Sequence, residues 1–136
     1  MTAAPSLRIS ICETRVGKPD DLAFVVDCWT KNDPELRNSF LRDSTRHVRT
    51  LLARDASRLI VAHVPGEPDA ILGWAAYEGG AVPCVHYVYV RKDARRHGVA
   101  RAMVGELSRA EYSHAAPKGV VVPSGWSLNT ERANTK

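Results

Sequence analysis

Long apolar runs are missing from this chain: none approaches the ~20 residues that a membrane-spanning helix needs. Cysteine is scarce as well. Cys12, Cys28 and Cys84 are odd in number and far apart, and neither a CxxC pair nor a neighbouring His cluster accompanies them. A zinc site and a disulfide framework are therefore not expected, and no metal is; reduced thiols in the cytoplasm are the simplest expectation. The opening residues Met1-Thr2-Ala3-Ala4-Pro5-Ser6 lack the basic stretch followed by an apolar one that marks an export signal. Two phosphate-binding motifs are absent too. There is no GxxxxGK followed by Ser or Thr, which excludes a P-loop, and no GxGxxG after a first strand, which excludes the dinucleotide fingerprint. Internal repeats and low-complexity blocks are likewise missing.

What is present fits one ordinary domain over residues 1–136, with 1–6 and 124–136 expected to be loosely held. At 136 residues about two-thirds of the unfolded surface can be buried, enough for one core. The formal net charge of +4 suits an anionic partner, and only the placement of the charge can say which kind.

Periodicity supplies the elements. Leu7 to Glu13 alternates apolar and polar residues, as a half-buried first strand does. Lys18-Pro19-Asp20-Asp21 opens a helix whose apolar stripe is Leu22, Val25, Val26 and Trp29, and Asp33-Pro34 interrupts it. A second helical stretch covers Glu35 to Arg54, with a break expected near Asp43-Ser44 and a buried side of Val48, Leu51 and Leu52. Arg58–Val64 and Ile71–Tyr77 form a hairpin around the turn Pro65 to Asp69. Val85 to Val90, rich in β-branched and aromatic residues, is the strongest strand signal. A helix is expected from Gly98 to about His114, then a short apolar strand at Val120–Val122. Strand, helix and strand in that order imply parallel pairing through a right-handed crossover.

The chemistry concentrates where the Val85–Val90 strand ends. There Arg91-Lys92-Asp93-Ala94-Arg95-Arg96-His97-Gly98-Val99-Ala100 runs from strand through a basic loop into a helix that starts at glycine. The first N–H groups of a helix lack partners within it, and glycine lets a phosphate approach them closely. Each amide-to-phosphate hydrogen bond is worth roughly 1.5–3 kcal/mol because the acceptor is charged. Arg91, Lys92, Arg95, Arg96 and Arg101 add positive field.

This stretch resembles the acetyl-CoA signature of the GNAT N-acetyltransferases, Q/R-x-x-G-x-G/A after the fourth strand, here Arg95-x-x-Gly98-x-Ala100. The preceding element order, a strand, two helices, a hairpin and the signature strand, also matches, and the resemblance covers about Leu7 to Val122. It implies a GNAT-like α/β fold with a mixed, mostly antiparallel sheet, and direct acetyl transfer from acetyl-CoA to an amine of a small molecule or protein. Carried over by position, the backbone of Val88, Tyr89 and Val90 would hold the pantetheine arm. Arg95, Arg96, His97, Gly98, Val99, Ala100 and Arg101 would hold the pyrophosphate. The thioester would lie where the signature strand and Val120–Val122 splay apart.

The reaction needs a base for the ammonium group; a thiol of pKa ~8.5 is already a tolerable leaving group. His86 on the signature strand is the first candidate, against a His satisfied by a neighbouring carbonyl within the sheet. Glu78 is the second, against a solvated loop carboxylate. Tyr112, read as late in the helix, is a candidate acid for the thiolate. Tyr87 and Tyr89 alternate with His86 and are expected on the opposite face as packing residues, and the tryptophans are expected to pack as well. Arg37, Arg42, Arg46, Arg49 and Arg54 read as a solvated face or as a surface for an acidic partner.

The chain departs from the family pattern at its end. A further helix and hairpin would follow the strand at Val120–Val122, and 136 residues leave no room for all of them. One strand edge would stay bare, to be covered by a second copy or another protein. The alternative to an enzyme is therefore a GNAT-like module acting through protein contacts. A nucleic-acid role is weaker, because no aromatic platform or known motif supports it.

Overall fold

The structure, a computed structural model, describes residues 12–33, 36, 40–114 and 122–135. Six strands form one sheet in chain order: β1 Glu13–Val16, β2 Ser57–Val64, β3 Glu67–Glu78, β4 Cys84–Val90, β5 Ala110–Tyr112 and β6 Trp126–Leu128. The first four pair antiparallel, and β4–β5 and β5–β6 pair parallel. Helices α1 Leu22–Asn32, α2 Leu41–Leu52 and α3 Val99–Val104 flank this sheet.

Alternation along β2 and β3, reset by a bulge at Leu72 where Gly73 faces Ala62 but Ile71 faces His63, assigns the two faces. Val61, Trp74 and Ala76 point to the side of α1 and α2, where they pack with Val25, Val26, Trp29, Val48 and Leu51. Ala62, Leu72 and Ala75 point the other way, against Val99, Met103 and Val104 of α3. Each large side chain buried this way contributes about 1.5–3 kcal/mol relative to exposure. The apolar stripe expected on the first helix is the buried face of α1, and Asp33 ends that helix in extended conformation, as a residue before proline does.

Several boundaries differ from the sequence reading. The first strand is Glu13–Val16, whose mostly exposed residues carry no alternation; its register comes from pairing with Ile60–His63, and the expected Leu7–Ile11 lies outside the described residues. No break occurs at Asp43-Ser44. Ser44 is buried and its hydroxyl donates to the Leu36 carbonyl at 2.8 Å, so a polar residue faces inward without ending α2. The third helix stops at Val104, capped at Gly105, and not near His114. Leu107 and Ala110 continue its apolar spacing, but they lie in a turn and in β5. The strand parallel to β4 is thus Ala110–Tyr112, and residues 115–121, with most of the expected Val120–Val122 strand, lie outside the described residues. β6 and a 3₁₀ turn at Thr130–Ala133 occupy the tail that had been expected loose. β6 also covers the outer edge of β5, so among the described residues β6 and not β5 is the last strand on that side of the sheet.

Candidate functional site

β4 outruns its neighbour. Only Cys84 and Val85 pair with β5, after which the amide of Ser113 donates to the Val85 carbonyl at 3.1 Å and the strands part. The amide of Arg91 donates to Leu72 on β3, so Tyr87 and Tyr89 turn their main-chain groups to β3 and Val88 and Val90 turn theirs away. Among the described residues no backbone pairs with Val88 or Val90 on that open side. The Val90 carbonyl there accepts from Nε of Arg95 at 2.9 Å. Among the described residues β4 and β5 thus part beyond Val85, whereas the splay expected against Val120–Val122 involves residues outside those described.

The wedge opens next to the basic turn. A 3₁₀ turn at Lys92–Ala94 leads to Arg96 with φ 67° and Gly98 with φ 83°, both left-handed, and α3 begins at Val99. The first helical bond is from the amide of Ala102 to the Gly98 carbonyl, 2.9 Å, so the amides of Gly98 to Arg101 have no backbone acceptor among the described residues. A Cβ built on Gly98 meets nothing within 4 Å: the backbone angle favours glycine, and open space lies in front of it. Arg91, Lys92, Arg95, Arg96, His97 and Arg101 are exposed around this turn, with Arg91 engaged by Asp93 at 2.6 Å. With only six residues in α3, the individual N–H groups outweigh the dipole as anion donors.

At the closed end of the wedge lies a buried polar chain. A bulge at His86, where Tyr77 faces Val85 but Ala76 faces Tyr87, adds one residue to β4. His86 Nε2 lies 2.8 Å from Glu78 Oε2, and its Nδ1 lies 2.6 Å from Ser113 Oγ. Ser113 Oγ is 2.7 Å from His114 Nδ1, and His114 Nε2 is 3.3 Å from His47 Nε2 on α2. Arg54, just past α2, donates to Glu78 at 3.2 Å and also to the carbonyls of Arg132 and Asn134. Burial pushes the His86 imidazole down to about 4, with the Glu78 carboxylate pulling partly the other way, so the ring is neutral at pH 7. Burial and the neighbouring His114 lower His47 as well.

No protein-family model matches the sequence, and no curated protein sequence does. Solved structures do. The chain is similar to AAC(6')-Iy, solved in complex with the bisubstrate analogue CoA-S-monomethyl-acetylneamine: TM-score 0.57, 15% identity, covering 81% of this chain and 83% of that one. For a possible acetyltransferase from Clostridium difficile 630 the values are 0.56 and 19%, over 88% of this chain and 80% of that one. The GCN5-related glucosamine N-acetyltransferase region of a fungal multi-domain GH3 beta-N-acetylglucosaminidase gives 0.56 and 14%, over 74% of this chain and 12% of that much longer one. The fold is that of the GNAT N-acetyltransferases.

Within the GNAT fold the expected site residues divide. Val88 and Val90 turn their main-chain groups to the open side, next to the Arg95–Arg101 turn, and Glu78 and His86 meet where β4 and β5 part. The backbone of Tyr89, expected to hold the pantetheine arm, is instead taken by its pairing with β3. Tyr112 does not join them. It lies on β5, and because the next residue, Ser113, points at His86, alternation turns Tyr112 to the opposite face. Tyr87, expected opposite His86, shares its side because of the bulge: Trp29 lies 5.6 Å from the Tyr87 ring and 6.1 Å from His114, which is 6.2 Å from His86. Arg54 leaves the arginine face expected on the second helix and binds Glu78, while Arg42, Arg46 and Arg49 stay exposed. Ser113, His114 and His47 escape sequence reasoning because no local spacing links residues this far apart. The one available signal was that histidine is rare, five in the chain, and three of the five gather here. No helix among the described residues is long and apolar enough to cross a membrane.

Proposed function

We propose that this chain is an acetyl-CoA-dependent N-acetyltransferase that moves an acetyl group directly to the amine of a small molecule or protein. The observation that carries the reading is the β4 edge at Val88 and Val90, which no backbone among the described residues pairs, flanked by the basic turn on one side and by the Glu78–His86 pair on the other. An extended pantetheine arm is the right shape to add to such an edge, as a strand would. The amide of Val90 and the main-chain groups of Val88 are its partners, since Arg95 already takes the Val90 carbonyl. The pyrophosphate falls to the amides of Gly98, Val99, Ala100 and Arg101, supported by the cationic side chains of Arg95, Arg96 and Arg101 and by His97.

The thioester supplies an electrophilic carbonyl and a thiolate leaving group. The chain's own part is to hold that carbonyl beside the acceptor and to receive the ammonium proton. His86 is 3% exposed and bonded at both ring nitrogens, so it and Glu78 act as a pair reached through Ser113 rather than as an open base. Tyr112 faces away, and the thiolate departs without it. Incubation with acetyl-CoA and a panel of amines should release free thiol and an N-acetylated product. Binding of acetyl-CoA without thiol release from any amine would instead favour a GNAT-like binding module.

A further inference from the structure

We propose that Glu78, His86, Ser113, His114 and His47 form one proton relay that takes up the proton of the acceptor amine at His47 and lodges it on Glu78. The relay rests on the acyl-transfer reading for its proton source, but its wiring can be read from the protein alone.

Five side chains from separate parts of the chain form an unbroken series of contacts: Glu78 ends β3, His86 sits in the β4 bulge, Ser113 and His114 follow β5, and His47 belongs to α2. One constraint orients every bond. The Glu78 carboxylate also accepts from Arg54 and can only accept, so His86 must donate to it from Nε2. A neutral His86 then offers a bare Nδ1, to which Ser113 donates its hydroxyl hydrogen. The Ser113 oxygen accepts from Nδ1–H of His114, which leaves His114 Nε2 bare to accept from Nε2–H of His47. His47 Nδ1 is left as the terminal acceptor, with the hydroxyl of Thr135 at 3.4 Å, the longest contact of the series. Across these contacts all three imidazoles can stay neutral, and the bonds named here point toward Glu78.

Such a chain moves one proton by handing each on. An ammonium gives H⁺ to His47 Nδ1, His47 Nε2–H passes to His114 Nε2, and His114 Nδ1–H passes to Ser113. Ser113 passes its own hydrogen to His86 Nδ1, and His86 Nε2–H passes to Glu78. The ammonium becomes a neutral amine, the carboxylate a carboxylic acid, and every intermediate member ends neutral with its bonds reversed. Exposure agrees with this direction. Ser113 and His86 are 1% and 3% exposed, whereas His47 and His114 are half-buried, so the histidine end is the one nearer solvent. Asp33, Arg54 and His114 are the charged or titratable groups that act on His47, and Glu78, Arg54 and His114 those that act on His86.

The test has two readouts. Imidazole ¹⁵N shifts of the wild-type protein near neutral pH should show alternating tautomers, Nε2–H in His86, Nδ1–H in His114 and Nε2–H in His47; an Nε2–H tautomer at His114, or an imidazolium at His86, overturns the wiring. In thiol-release assays, Ser113→Ala and His47→Gln should each lower kcat/KM about a hundredfold below the pKa of the amine, the double variant should be no worse, and the deficit should shrink above that pKa, where the amine arrives deprotonated. A deficit equal at both pH values, or none, overturns the relay. Should Ser113→Ala not fold, His47→Gln at its half-buried position decides the matter. Failure of the wild type to release thiol removes the amine as proton source and, with it, the acyl-transfer reading, while the tautomers still decide the wiring.

Discussion

Glu78 and His86 meet at 2.8 Å across the β3–β4 turn, and they do so because one extra residue in β4 swings the His86 ring to the side of α1 and α2. The carboxylate closest to this buried imidazole belongs to the strand directly before it.

The pair makes stability depend on pH in a stated direction. In the unfolded chain an imidazole titrates near 6.5, but in the fold burial holds His86 at about 4. Between those values the unfolded chain binds a proton that the folded one refuses. Stability is therefore full above about 6.5 and falls toward pH 4, by on the order of 3 kcal/mol. His47, also lowered, adds to the same slope. Urea midpoints measured across this interval should show the decline, and His86→Gln should flatten much of it. Equal slopes for the two proteins would show that His86 does not govern acid sensitivity.

Arg54 ties the carboxyl-terminal residues to the site by serving Glu78 and the carbonyls of Arg132 and Asn134 together. Arg54→Ala leaves those acceptors with one partner fewer and should cost about 1–3 kcal/mol. Arg54→Lys should recover only part of it, because an ammonium lacks the planar fork. Thermal unfolding gives the first number. Faster hydrogen exchange at Trp126–Leu128 and Thr130–Ala133 in the Ala variant would show that the latch reaches the tail, and unchanged exchange would show that it does not.

Legibility in the sequence followed the length and regularity of each element. The β2–β3 hairpin and β4 announce themselves through β-branched and aromatic residues, and Arg95-x-x-Gly98-x-Ala100 marks the turn after β4 in the register of the GNAT signature. The end of α3 could not be read, because Leu107 and Ala110 prolong a helical spacing that Gly105 has already ended. β5 and β6 have three residues each, too few to show a period. The face of His86 was misread for a related reason: a single bulge reverses the alternation argument for every side chain beyond it. The His47–His114 contact joins residues 67 apart, and only the folded chain brings them together.

Gly98 separates the backbone's needs from the ligand's. Its φ of 83° disfavours side chains by about 1–2 kcal/mol, yet a Cβ would touch nothing within 4 Å. Gly98→Asn, which tolerates this conformation, should fold like the wild type and keep most of its affinity for acetyl-CoA. Gly98→Glu, by placing an anion in front of the free amides, should weaken binding at least about tenfold by calorimetry. Equal affinity in the Glu variant would remove the turn from the site.

The exposed cations of the same turn predict a salt effect. Arg95, Arg96 and Arg101 act through water, and screening shortens their reach from about 10 Å at 0.1 M salt to about 3 Å at 1 M. Acetyl-CoA affinity should fall steadily over that range, and Arg96→Ala should show a shallower fall than the wild type. Affinity that ignores salt would mean that these side chains take no part.

The most direct measurement is an amide chemical-shift titration of the ¹⁵N-labelled protein with acetyl-CoA. The account predicts saturable shifts concentrated at Val88, Val90 and Gly98 to Arg101, with weaker ones at Ser113 and His114. Saturable shifts elsewhere on the sheet, or none at millimolar cofactor, would contradict it.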